Sequence, residues 1–194
     1  NPETELDNLK LCRQNRVAGL FVSITIKTTD IRAFLKMEDL DVPVIFFDKV
    51  PDFEACNKVC VADRSAAGMA AEALLRHKRK KILALFGNDQ MSITRKRKEA
   101  FTAVIEGQKK IKFKADHAHN PEEARRLIHR YFEKGIAYDG IFCMSDDILT
   151  GVMKAVQELK YVVPKEISVI AMSDGFLPQL YEPEISFVET SGYK

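Results

Sequence analysis

Few residues of this 194-residue chain could do chemistry, and their spacing removes most candidates. Cys56 and Cys60 lie close together. A zinc site wants a second Cys or His pair at similar spacing, and neither Cys12, Cys143 nor the four histidines supplies one. His117-Ala118-His119 could touch a metal, but two ligands on opposite sides of an extended segment do not make a site. Asp146 and Asp147 are neighbouring carboxylates where a helix should begin. Neighbours on a helix point in different directions, so the pair suits the helix dipole better than acid–base work. No Gly-x-Gly-x-x-Gly follows a strand, and there is no Gly-x-x-x-x-Gly-Lys-Ser/Thr loop or Gly-x-Ser-x-Gly elbow. The expectation is a binding protein and not an enzyme, with no metal and no cofactor.

The elements that must position such a site alternate along the chain. Pro2, Glu3 and Glu5 look like a helix start, and that helix should run to about Asn15. Gly19 to Ile24, Pro43 to Phe47, and Lys58 to Val61 read as short strands. Asp30 is expected to cap a helix with Ile31, Phe34, Leu35 and Leu40 inward, and Ser65 an Ala-rich helix ending near His77. Lys81 to Phe86 is a buried strand, followed by a helix near Met91 to Gln108. Ile111, Phe113 and Ala115 alternate with lysines, as in an edge strand. Asn120-Pro121-Glu122-Glu123 and Ser145 open two further amphipathic helices, and Gly140 to Cys143, Ser168 to Met172 and Phe187-Val188 complete the strands.

Short apolar strands between amphipathic helices predict parallel sheets covered on both faces, an α/β fold. Such sheets bind ligands at the carboxyl ends of their strands. The polar residues just past those ends are Ser23, Thr25, Asp48, Asp63, Asn88, Ser145, Asp146, Ser173 and Asp174.

Composition narrows the classes further. Hydrophobic residues make up 46% of the chain, too many for general disorder, and no apolar run reaches the length of a membrane helix. The net charge is +2 but uneven: residues 62–114 hold 14 Lys and Arg against 5 Asp and Glu. A basic middle fits either a polyanion surface or solvated helix and strand ends, and the second reading is preferred. Four unpaired cysteines suit a reducing compartment.

Several phrases resemble the effector-binding core of LacI-type transcriptional repressors, the lactose and purine repressor family. They are Asn15 to Ser23, Pro43-Val44-Ile45-Phe46-Phe47-Asp48-Lys49, Asp63 to Leu75, Arg97-Lys98-Glu99-Ala100-Phe101, Asp146 to Gly151, Val163-Pro164-Lys165-Glu166-Ile167-Ser168, and Pro183 to Val188. They fall in family order across almost the whole chain. Among the departures, Ser173 stands where many members carry the Asp that holds the effector.

This resemblance implies a two-lobe periplasmic-binding-protein-like fold with parallel sheets. Residues 1–61 would be part of the first lobe and 62–188 the second, with 189–194 starting the passage back to the first. It implies a small-molecule effector, a sugar or nucleobase, held by Asp48, Arg97, Phe142, Ser145, Asp146 and Ser173. Each also has a plainer reading: Asp48 as a turn residue, Arg97 as one more cation of Arg95-Lys96-Arg97-Lys98, Phe142 as core, Ser145 as a helix cap. The family further implies a cytoplasmic homodimer that reads operator DNA through an N-terminal helix-turn-helix absent from this chain, and no membrane. The alternative with the same fold is a periplasmic sugar- or solute-binding protein for ABC transport.

Overall fold

A computed structural model describes residues 1–25 and 27–190. The chain divides into two compact units. One holds residues 1–61 with 90–93, the other residues 62–89 with everything from 94 onward.

In the first unit α1 (Pro2–Gln14) opens where Asn1 accepts a hydrogen bond from Glu3 N at 2.8 Å and Pro2 fills the first turn, whose missing N–H is not needed there. Three short strands, β1 (Leu20–Val22), β2 (Val44–Phe47) and β3 (Asn57–Val59), form a parallel sheet in that order. Val44 and Phe46 point to one face. They pack there with Leu9 of α1 and with Phe34 and Met37 of α2 (Arg32–Glu38), and Phe34 meets Phe46 edge-on at 5.7 Å. Two expectations fail here. Asp30 does not cap α2: the cap position is Ile31, and the Asp30 carboxylate instead accepts from Arg32 N and grips the Arg32 guanidinium. Leu40 is exposed, because α2 ends two residues earlier; Met37 takes the buried position.

The second unit is built on β4 (Lys81–Phe86), β5 (Lys112–His117), β6 (Gly140–Cys143), β7 (Ser168–Ser173) and β8 (Ser186–Glu189). All pair in parallel in the order β5-β4-β6-β7-β8. Every residue of β6 and β7 is buried, as continuous apolar runs in a sheet covered on both faces must be, whereas β5 at the edge exposes alternate lysines. The connecting helices are α3 (Asp63–Arg76), α4 (Ser92–Glu106), α5 (Pro121–Glu133) and α6 (Asp146–Glu158). Helix α3 starts two residues before Ser65, with no side-chain cap, because its cap position is Ala62, which carries no acceptor. Asn120 and Ser145 do cap α5 and α6, accepting from Glu123 N and Ile148 N. The α/β architecture with parallel sheets is the expected one. Of the passage assigned to residues 189–194, residues 191–194 lie outside the described residues.

Candidate functional site

The carboxyl ends of β4, β6 and β7 gather polar groups that the strands themselves exclude. Register sets their level: Leu85 lies beside Cys143 and Cys143 beside Ala171, so the chain leaves β6 at Met144 and β7 two residues later at Ser173. Arg97, on the second turn of α4, is only 7% exposed. Its Nε donates to Asp63 Oδ1 at 2.8 Å and its Nη1 to the Met144 carbonyl at 3.2 Å. Asp63 is itself 6% exposed, so two opposite charges meet out of water. Asp63 was visible in the sequence as a strand-end residue. Its pairing with Arg97 was not, since 34 residues separate them and no local spacing marks the pair.

The other side is acidic. Ser145 spends its hydroxyl oxygen on the α6 cap. Asp146 follows in the first helical turn. Burial raises its carboxyl above the usual range, with Asp174 and Asp147 pushing the same way, while a hydrogen bond from Ser173 pulls against them. Its Oδ1 is a buried oxygen with no hydrogen-bond partner. Ser173, 2% exposed, also accepts from Gly175 N at 3.0 Å. That turn runs through a φ of +100° at Gly175, which a side chain rarely tolerates. Asp174 accepts from Phe176 N at 3.1 Å. Arg97, from α4, thus reaches the Met144 carbonyl just past β6, Asp146 opens α6 after the same strand, and Ser173 ends the neighbouring β7.

Two of the candidates are placed otherwise. Phe142 is fully buried, stacked on Phe101 with centroids 4.5 Å apart and packed against Phe86 at 5.5 Å. Its faces are filled by core rings, so it offers no open platform to a flat ligand. Asp48 belongs to the first unit, exposed at the end of β2 with φ of +55°.

Two further reactive groups, Cys143 and His117, are occupied. Burial pushes the Cys143 thiol far up, helped by Asp146, so it is no nucleophile at neutral pH. His117 donates from Nδ1 to the Gly87 carbonyl at 2.6 Å, and its Nε2 lies 2.9 Å from the Lys98 ammonium and 3.0 Å from Asp89 Oδ2. Lys98 also holds Asp89 at 3.0 Å. No group of three or more metal-binding side chains occurs among the described residues.

The profile of the periplasmic binding protein domain matches residues 4–188. The ribose operon repressor of Halalkalibacterium halodurans is 25% identical over 191 residues, covering 98% of this chain and 56% of that protein. The chain therefore spans about half the length of the curated relatives it matches. Among solved structures, transcription regulator CcpA of Lactococcus lactis superposes with a TM-score of 0.80 at 17% identity, over 96% of this chain and 69% of that one. The periplasmic binding protein of the arabinose ABC transporter from Shewanella sp. ANA-3, bound to arabinofuranose, superposes with a TM-score of 0.86 at 14% identity, over all of this chain and 68% of that one. At these identities the superpositions establish a shared fold.

Proposed function

The chain belongs to the periplasmic binding protein domain family, and from that premise we propose that it is the effector-sensing core of a LacI-type DNA-binding transcriptional regulator. A small molecule, a sugar or nucleobase, docks on the carboxyl ends of β4, β6 and β7. The observation that carries this reading is the placement there of Arg97 from α4, Asp146 from the first turn of α6 and Ser173 from the end of β7, polar groups at the carboxyl side of otherwise apolar strands, where open parallel sheets bind ligands. The match to a repressor over 98% of the chain supports a regulator in preference to a transport protein, and with it a cytoplasmic setting. Operator DNA is read by a helix-turn-helix outside these residues, and the regulator acts as a homodimer, since a two-fold protein matches palindromic operators. Effector binding works by favouring one of two pre-existing states of the full regulator. No catalytic step is assigned.

Thermal-shift screening against sugars and nucleobases, followed by calorimetry, tests the site. A ligand at about a hundred times its Kd stabilises the folded chain by roughly 2.7 kcal/mol, a shift easily read. Ser173→Ala should weaken that ligand by about tenfold, because it removes one hydroxyl that touches both the site and Asp146. Unchanged affinity in Ser173→Ala, or no stabilising ligand in either class, would overturn the assignment.

A further inference from the structure

The amino ends of β4 and β5 carry two cations side by side. Lys81 opens β4 and Lys112 opens β5, and the two are in register across the parallel pair. Registered residues of neighbouring parallel strands share a face about 4.8 Å apart, so the two like charges repel. Both lysines are exposed, and neither ammonium group has a hydrogen-bond or ion-pair partner among the described residues. Asp139, the residue before β6, turns its carboxylate to Lys80 N at 3.0 Å and Lys81 N at 2.8 Å. Lys109, Lys110 and Lys134 stand exposed on the segments that lead into β5 and β6.

The same two lysines line a hollow of about 310 Å³ with Phe113, Gly135, Ile136 and Tyr138. Its other walls are therefore largely apolar: Tyr138 is buried, and Ile136 is 42% exposed at the rim. A cavity and an unmatched pair of charges coincide here, at the opposite end of the strands from Arg97, Asp146 and Ser173. We infer that this hollow is a ligand site separate from the effector site, and that it takes a small phosphate monoester with an aromatic or apolar body. A phosphate monoester carries about −1.5 to −2 charge at neutral pH, which balances two ammonium groups and removes their repulsion. Lysine meets phosphate as a point charge, and Phe113, Ile136 and Tyr138 cover the ester body. The volume lies at the small end of ligand pockets. A duplex backbone fits less well, because its singly charged diesters bring no apolar body into the hollow.

Calorimetry on the 194-residue chain with phenyl phosphate, inorganic phosphate and phenol tests this. Phenyl phosphate should bind, the other two should bind about tenfold or more weakly, and the affinity for phenyl phosphate should fall as salt is raised. Lys81→Gln combined with Lys112→Gln should weaken phenyl phosphate by about tenfold or more, through the loss of two charge-assisted contacts. Lys114→Gln, on the same strand but outside the hollow, should leave it within about twofold. The double variant relieves repulsion between exposed side chains, so it should melt no lower than the parent. Ser173→Ala should leave phenyl phosphate binding unchanged, which keeps this site distinct from the effector site. Absence of phenyl phosphate binding, inorganic phosphate binding as tightly, an equal loss in Lys114→Gln, or a loss in Ser173→Ala overturns the inference. A short DNA duplex that binds more tightly than phenyl phosphate, and is weakened by the same double variant, overturns it too, in favour of a polyanion surface.

Discussion

Arg97 has two duties that a single substitution does not separate. From the sequence it is one cation in the run Arg95-Lys96-Arg97-Lys98 and looks removable. In the fold it neutralises Asp63 where neither charge meets water. Arg97→Ala should therefore cost about 3–5 kcal/mol of stability as well as ligand affinity, because it strands a buried carboxylate. A denaturant titration of Arg97→Ala against Arg97→Ala/Asp63→Asn checks this: removing the stranded charge should restore much of the loss, and equal stabilities for the two would contradict the pairing. Asp146 behaves oppositely. Its carboxyl is raised in the folded state, first by burial and then by Asp174 and Asp147. A group whose folded pKa is raised contributes stability below its unfolded pKa and loses it as pH rises through the folded value. Asp146→Asn should thus melt higher than the parent near pH 7, with the gap closing as pH falls toward the ordinary carboxylate range, where the Asp146 carboxyl is protonated in the folded and unfolded chain alike. A gap that is constant with pH would place the cause elsewhere. The sequence marked Asp146, Ser145 and Ser173 because each follows an apolar strand. It could not mark the bonds of Arg97 to Asp63 and to the Met144 carbonyl, since those partners lie far away in the chain.

At the scale of elements, local signals were the reliable ones. Asn120 and Ser145 cap their helices because the acceptor and the N–H it serves lie three residues apart, and nothing distant competes. Asp30 and Ser65 mislead because each helix starts elsewhere: α2 has Ile31 at its cap while the Asp30 carboxylate holds Arg32, and α3 begins at Asp63 behind Ala62. Strands were legible as apolar runs, but their spatial order was not, since β4 sits between β5 and β6 and no residue pattern states that. Gly151 shows a constraint of the same non-local kind. A Cβ there would run into the Pro121 carbonyl and the Ala124 side chain, so the glycine lets α5 and α6 approach closely. Gly151→Ala should destabilise by about 1–3 kcal/mol or more, despite alanine's better helix propensity, because the obstruction is backbone and cannot rotate away. Melting curves that show Gly151→Ala as stable as the parent would mean the two helices part easily.

The whole molecule divides its stability unevenly. Part of the basic middle is committed within the fold. Arg79 donates to Ser168 Oγ and the Pro164 carbonyl, Arg64 meets Glu99, and Lys98 meets Asp89. This chain alone should show only weak DNA binding that falls steeply with salt, and a tight, sequence-selective shift in a gel assay would contradict that. The two units differ more in their cores. The second has a five-stranded sheet whose central strands are buried throughout, with helices packed on it. The first has three short strands, one face of which packs on α1 and α2 while the opposite face shows Phe21, Phe47 and Val59, with Phe21 76% exposed. A parallel sheet is stable when both faces are covered, and three short strands with one apolar face wet are marginal. Amide hydrogen exchange should therefore find the slowest amides in β4, β6 and β7, and exchange in β1 to β3 faster by orders of magnitude, reflecting local opening of the first unit below the global unfolding free energy. Exposed apolar faces of this kind also drive association, so the difference should narrow as protein concentration rises if a second chain covers Phe21 and Val59. Equal protection of both sheets in dilute protein would refute the uneven division, because it would require the small sheet to be held as firmly as the large one with its apolar face open to water.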